Sequence, residues 1–397
     1  LKRGFGLEYK IHFDYENKKA EKEAFDNVLK EYESQEIGYY HLPESSMKFK
    51  DINFDDFSEI AIIGIGGSSL GTKAIYEMIK NKFPLKKMVF LENPDPIDLI
   101  GKFKELKNPL FFVISKSGKT IETISIFKKV IEHFKLKPKA KNLKIITDPG
   151  SPLEKFAIDW GIECFNLPKN VGGRFSVLSA VGMIPLKAAA VDIVSILQGA
   201  KDFRDRFFEK NELHLLKKAS FYARNYKIYP VNVLFAYATI LSAFKEWFVQ
   251  LFGESLGKNG KEIMPVGHIG SIDQHSFLQL LMEGMGHKTI TFLQIKNFDP
   301  DFKIPDINLP YLSATDFVND HTFAELINKE CEATKEALLA KEYPVDEIIM
   351  ESLNLKNIGE LIMYYEILTS AIGSLLEVNT YNQPGVEIGK TILRNKF

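Results

Sequence analysis

Ser115-Lys116-Ser117-Gly118-Lys119-Thr120 follows the apolar run 110–114 and precedes a segment of helical character, 121–133. A strand that delivers a hydroxyl-rich, glycine-containing turn to a helix start is a phosphate cradle. Free backbone N–H groups and the positive end of the helix dipole face the anion. Ser115, Ser117 and Thr120 can each donate a hydroxyl proton to a phosphate oxygen, and Lys116 or Lys119 can add charge. The spacing is not GxxxxGK[ST], which points away from a nucleotide and towards a small phosphorylated metabolite. The same residues also suit an ordinary capped helix start, so this stretch alone leaves both readings open.

Four further clusters carry chemical side chains. Gly172-Gly173-Arg174-Phe175-Ser176 joins two glycines, which let a backbone approach a ligand closely, to a permanent planar cation. Gly253-Glu254-Ser255 sets a carboxylate at the expected end of a helix, where the dipole prefers cations. A carboxylate held near a carbon-bound proton can act as a general base. Asp273-Gln274-His275-Ser276 offers a helix cap in Asp273 and, in His275, an acid or base near neutral pH. The segment 382–390, ending in Lys390, turns into a last helix at Pro384. Taken singly, each also suits a surface turn, an exposed glutamate, a polar helix start or a solvated tail. His268 and His275 lack a partner cluster, so no metal site is expected.

Elements must bring these residues together. The run 60–65 ends in Gly66-Gly67-Ser68-Ser69 and leads into a helix over 72–82. Further apolar runs at 88–91, 110–114, 143–147 and 162–167 alternate with helical segments. That pattern predicts a parallel sheet covered on both faces, with ligands beyond the carboxyl ends of its strands. Residues 17–33, 178–197 and 201–223 read as helical, and lysine-rich 135–144 as a solvated connector. A second unit begins near residue 200. It is expected to hold a long helix over 233–251, strands at 263–269 and 289–294 with a helix at 274–283 between them, and a mostly helical 352–378. Two α/β sheets side by side is the expected architecture.

The bulk numbers narrow the class. At 397 residues the chain is long for one core, so two domains are expected. Apolar content of 45% and charged content of 26% fit a soluble globular protein. A net charge of −1 argues against a nucleic-acid partner. Two distant cysteines, Cys164 and Cys331, exclude a disulfide framework and point to a reducing cytoplasm. Apolar stretches such as 181–197, broken by Pro185, Lys187 and Asp192, are too short to span a membrane. The opening Leu-Lys-Arg-Gly-Phe-Gly has no apolar core of a secretory signal.

In their order along the chain, six segments together resemble the glucose-6-phosphate isomerase, or phosphoglucose isomerase, family. They are I-G-I-G-G-S-S-L-G at 63–71, S-K-S-G-K-T-I-E-T at 115–123, G-G-R-F-S at 172–176, G-E-S-L-G-K-N-G-K at 253–261, D-Q-H-S-F at 273–277 and N-Q-P-G-V-E-I-G-K at 382–390. The resemblance implies two sugar-isomerase-type (SIS) α/β/α sandwich subdomains with mostly parallel sheets, plus C-terminal helices. Their expected bounds are 45–195 for the first, and 1–44 with 196–397 for the second. It implies a cytoplasmic enzyme of glycolysis and gluconeogenesis, without metal or cofactor, that interconverts glucose 6-phosphate and fructose 6-phosphate through a cis-enediol.

By the same resemblance, Glu254 is the base between C2 and C1, Arg174 faces the enediol, and His275 and Lys390 open the sugar ring. His275 would reach a neighbouring subunit's site, implying a homodimer with shared active sites. Gly67, Ser68, Ser115, Lys116, Ser117 and Thr120 match positions at or beside the phosphate, and Gly173 and Gln383 match other substrate contacts. Lys119 stands where the family often has threonine, and Pro384 where longer relatives carry an aromatic residue. Three rival readings stand beside it: a non-catalytic sugar-phosphate sensor built from the same modules; another sugar-phosphate enzyme, such as a mannose 6-phosphate isomerase or a Schiff-base lyase using Lys390; and a secreted cytokine-like role, which no feature of the chain tests.

Overall fold

A computed structural model describes residues 6–397; residues 1–5, which hold most of the stretch read above for a signal, lie outside the described residues. Strand β1 (Leu7–Ile11) opens the chain, and the helix Lys18–Ser34 follows, its start capped by Asn17. Strands β2 (Glu59–Ile63), β3 (Lys87–Leu91), β4 (Pro109–Ile114), β5 (Leu143–Thr147) and β6 (Glu163–Asn166) then form a five-stranded sheet. Its order is β3-β2-β4-β5-β6, and every pairing is parallel. Each residue of β4 is buried, which is why 110–114 reads as an unbroken apolar run. β3 lies on one side of β2 and β4 on the other, so the carboxyl ends of β2 and β4 flank the topological switch point. Ile63 pairs with Val113, and the two serine-bearing loops therefore leave neighbouring strands at one level.

The second sheet holds β7 (Val231–Tyr237), β8 (Met264–Ile269), β9 (Lys288–Asn297) and β10 (Val345–Ser352), in the order β1-β10-β9-β7-β8. All its pairings are parallel except that of β1 with β10. The fold is α/β with mostly parallel sheets, as the motifs imply. The helix Leu355–Leu375 runs almost wholly buried through the main core.

Two local readings are corrected here, and one strand of the second sheet is found that the sequence did not suggest. Residues 233–251 are not one helix: β7 is followed by a short turn and the helix Ser242–Leu256. β7 is central in its sheet, with Val233, Phe235 and Tyr237 in one core cluster and Leu234 and Ala236 in another, so it carries no alternation to tell strand from buried helix. β10 goes unread because Asp346 and Glu347 put charge in a strand; both are buried, paired with Lys218 and Lys335. The segment 274–283 is helical only over Leu278–Glu283, and His275 stands on a turn after the short helix Gly270–Asp273. Asp273 does not cap the helix that follows, whose N-cap is Phe277 without a side-chain bond; it ends Gly270–Asp273, and its Oδ2 accepts the Ile269 amide at 2.7 Å.

Candidate active site

The second loop is organised from within. Ser115 is buried, and its Oγ lies 3.0 Å from Thr120 Oγ1. Thr147 Oγ1 donates to the Ser115 carbonyl at 2.7 Å, pinning the loop to β5. Lys116 Nζ sits 3.1 Å from the Asp148 carboxylate, while Ser117 and Lys119 are exposed. Thr120 is the N-cap of the helix Ile121–Phe134 yet makes no side-chain capping bond. The capped-helix reading thus fails here, and the first-turn amides keep their donors free of a side-chain cap. The loop after β2 behaves alike: Ser69 heads the helix Leu70–Ile79 without capping it, its Oγ donating to Glu92 Oε2 at 3.1 Å. Ser68 is half-buried beside it.

Gly67 joins this loop to Arg174. A β-carbon at position 67 would stand 2.3 Å from the Gly173 carbonyl carbon, so only glycine allows the approach. Ser176 Oγ donates to the Gly67 carbonyl at 3.3 Å and locks the two turns together. The Arg174 side chain is fully buried, and each of its nitrogens has an acceptor. Nε donates to Ser255 Oγ at 2.7 Å, and Nη1 to Gln383 Oε1 at 2.6 Å and Glu254 Oε2 at 3.2 Å. Nη2 donates to the carbonyls of Thr380 and Asn382, the latter at 3.0 Å. Burial pushes the guanidinium pKa down and the Glu254 carboxylate pushes it back up. From so high a starting point the group stays a cation.

Glu254 lies in the last turn of Ser242–Leu256, with 30% of its side chain exposed. Its second oxygen accepts from Gln250 Nε2 at 3.0 Å, one helical turn back. Gln250 lies against the first loop, since a β-carbon on Gly66 would stand 2.9 Å from that same Nε2. Its own Oε1 is buried with no partner among the described residues. Beyond the carboxylate opens a cleft of about 480 Å³, lined by Glu254, Lys258, Asn379, Asn382, Gln383 and Val386 among others. Lys258 is held below the usual lysine range, at about 8, by burial first and then by the Arg174 charge, with Glu254 opposing. The arrangement joins a cleft-facing carboxylate, a fixed cation, neutral acceptors and a serine-bearing turn whose helix start has no side-chain cap.

The structure therefore brings together Arg174, Glu254, Gln383, Gly173 and Gly67, and sets the loop of Ser115–Thr120 on the neighbouring strand end. His275 and Lys390 are not in this cluster. His275 is exposed on its turn. Lys390 is exposed on the helix Glu387–Arg394, with Nζ 2.7 Å from Glu387 Oε1. Sequence reasoning missed Gln250 and Lys258. The i, i+4 spacing of Gln250 to Glu254 was the available signal for the first. Among the described residues no group of three or more His, Cys, Asp or Glu side chains could hold a metal, and no helix is long and apolar enough to cross a membrane.

Comparison with known proteins bears on the same residues. Residues 43–396 match the family described as Phosphoglucose isomerase. Glucose-6-phosphate isomerase of Campylobacter jejuni is 42% identical over 386 residues, covering 93% of this chain and 94% of that protein. The glucose-6-phosphate isomerase of Methanocaldococcus jannaschii is 34% identical, covering 93% and 92%. Among solved structures, a hypothetical protein from Thermus thermophilus superposes with a TM-score of 0.86 at 30% identity, over 95% of this chain and 94% of that one. A glucose-6-phosphate isomerase from Chlamydia trachomatis shares the fold, with a TM-score of 0.82 at 22% identity over 99% and 88%. With the match spanning β2 to β10 and every motif, this chain belongs to the phosphoglucose isomerase family.

Proposed function

We propose that this protein interconverts glucose 6-phosphate and fructose 6-phosphate by proton transfer through a cis-enediol. The observation that carries the reading is the cleft-facing Glu254 carboxylate 3.2 Å from a buried Arg174 guanidinium whose other donors are all engaged by acceptors of the fold. Glu254 takes the proton from C2 of the open aldose and returns it at C1. Such a positioned base contributes about 10²–10⁴-fold. Negative charge grows on the enediol oxygens meanwhile, and the immobile guanidinium, its donors held by the fold, meets it as a fixed positive charge close to the reacting carbons without reorganising.

Ser68, Ser115, Ser117 and Thr120, with the Gly67 backbone, hold the phosphate in this reading. Lys116 adds charge from its Asp148 anchor, and Gly173 and Gln383 contact the sugar. Phosphate anchoring supplies binding energy remote from the reacting carbons. His275 and Lys390 serve ring opening. The exposure of His275 suits a residue offered to a second copy, so we assign a homodimer with shared sites. Lys390 requires its helix, none of whose residues is buried, to fold over the cleft. The sheets support a division into 45–195 and 1–44 with 196–397, since β2–β6 fall in the first and β1 with β7–β10 in the second. The reading needs neither metal nor cofactor and places the enzyme in the cytoplasm.

A coupled assay on fructose 6-phosphate in heavy water tests it. Turnover with solvent deuterium at C2 of the glucose product is expected. No turnover would favour a sensor, and a Glu254→Gln variant that keeps turnover within about threefold of wild type would overturn the base.

A further inference from the structure

The turn after the Glu254 helix does more than end it. Asn259 and Gly260 both have positive φ, 56° and 70°, between Lys258 and Lys261. Those two lysines exchange backbone hydrogen bonds of 2.9 Å in both directions. This is a two-residue turn of the I′ kind, where Asn-Gly is favoured because both central residues are left-handed. It holds the flanking lysines in one fixed relation. Both reach the same piece of chain: Lys261 Nζ donates to the Leu376 carbonyl at 2.6 Å, and Lys258 Nζ to the Asn379 carbonyl.

The two contacts differ in consequence. Leu376 is the C-cap of Leu355–Leu375, a helix with no basic residue in its last turn. Lys261 therefore supplies the cation that the helix end prefers, and it does not line the cleft. Asn379 instead starts the strap that lines the cleft. Its Oδ1 accepts the amides of Tyr381 and Asn382 at 3.0 and 3.2 Å, so fixing Asn379 fixes the turn that follows. Three residues of that strap, Thr380, Asn382 and Gln383, are acceptors that hold Arg174. The strap thus hangs between two cations, Arg174 at its middle and Lys258 at its start.

Resting on the isomerase reading, we propose that Lys258 is a positioning residue for the reaction: it holds Asn379 so that the strap keeps Gln383 and the Arg174 guanidinium in register with Glu254. Displacing a reacting group by about 1 Å can cost on the order of 10²-fold, so a loosened strap shows in turnover before substrate affinity.

Steady-state kinetics of Lys258→Met, Lys258→Arg and Lys261→Met, each with a melting curve, test this. Lys258→Met should lower kcat by about tenfold or more with KM within about threefold. Lys258→Arg, which keeps a charged donor, should recover to within about threefold of wild type. Lys261→Met should lower the melting temperature and leave kcat within about threefold. If Lys258→Met does not fold, Lys258→Gln, which keeps an N–H donor without charge, takes its place with the same expected split. An unchanged kcat, a rise in KM alone, or an equal kcat loss in Lys261→Met would overturn the proposal. Wild-type protein inactive on fructose 6-phosphate would instead sink the isomerase reading itself, so the two failures are separable.

Discussion

Two buried ion pairs in this molecule have similar partners and opposite uses. Lys218 and Asp346 meet at 2.5 Å with side chains only 2% and 4% exposed. Every atom there is spoken for: Lys218 also donates to Thr291 Oγ1, and Asp346 Oδ1 accepts from Tyr222 at 2.8 Å and Thr291 at 3.0 Å. Asp346 stands near the amino-terminal end of β10, away from the strand ends that face ligands in such sheets. Arg174 and Glu254 are built otherwise. The cation is buried and saturated, but its carboxylate partner keeps 30% exposure and faces a cleft. Burial of charge alone does not mark a site. The mark is a saturated cation beside an anion that still has open access.

Substitution of the two acids draws the contrast most sharply. Glu254→Gln should reduce kcat by about 10²–10⁴-fold with the melting temperature nearly unchanged. Asp346→Asn should leave kcat of the folded protein near wild type and cost about 3–5 kcal/mol of stability, since Lys218 is left buried and unpaired. Urea unfolding beside kinetics reads both, and a reversal of the two patterns would erase the distinction. Arg174→Ala comes next. It should lower kcat by about 10²–10³-fold, more than it raises KM, and also destabilise the fold, because five acceptor contacts are lost with it. A pure KM effect would move Arg174 from transition-state to ground-state binding.

The same contrast explains what the sequence disclosed. β4 and the Ser115–Thr120 turn were legible because a strand buried on both faces is an unbroken apolar run, and the polar turn marks its end. The meeting of Arg174 with Glu254 was not legible from local pattern, since it depends on the packing of Gly67 onto Gly173 and of a strap onto both. Only the ordered set of motifs anticipated it. β10 was hidden by Asp346 and Glu347, the very charges that the fold buries by pairing. Lys258 drew no reading of its own from the sequence, because its place depends on a carbonyl 121 residues away. The placement of His275 and Lys390 outside the cluster is likewise a property of tertiary structure, beyond the reach of spacing.

A third acid extends the comparison to a carboxyl with neither cation nor access. Glu366 is fully buried in the Leu355–Leu375 helix, and neither side-chain oxygen has a hydrogen-bond partner among the described residues. Burial alone raises its pKa well above the ordinary carboxyl value, so the folded protein keeps a proton there that the unfolded chain releases. Its contribution is therefore fully present below the unfolded pKa, about 4.3, and is lost as pH rises towards the folded value. Within that window the slope from this one group is about 1.4 kcal/mol per pH unit. Glu366→Gln, which cannot titrate, should flatten the fall in unfolding free energy above about pH 5 while leaving kcat unchanged. The effect reverses the sign expected of a paired acid such as Glu347, where burial pushes the pKa up but Lys335 and His12 together pull it below the ordinary value. That group stabilises at neutral pH and fails in acid. Equal pH slopes in wild type and Glu366→Gln would show that Glu366 finds a partner in solution and belongs with the paired acids.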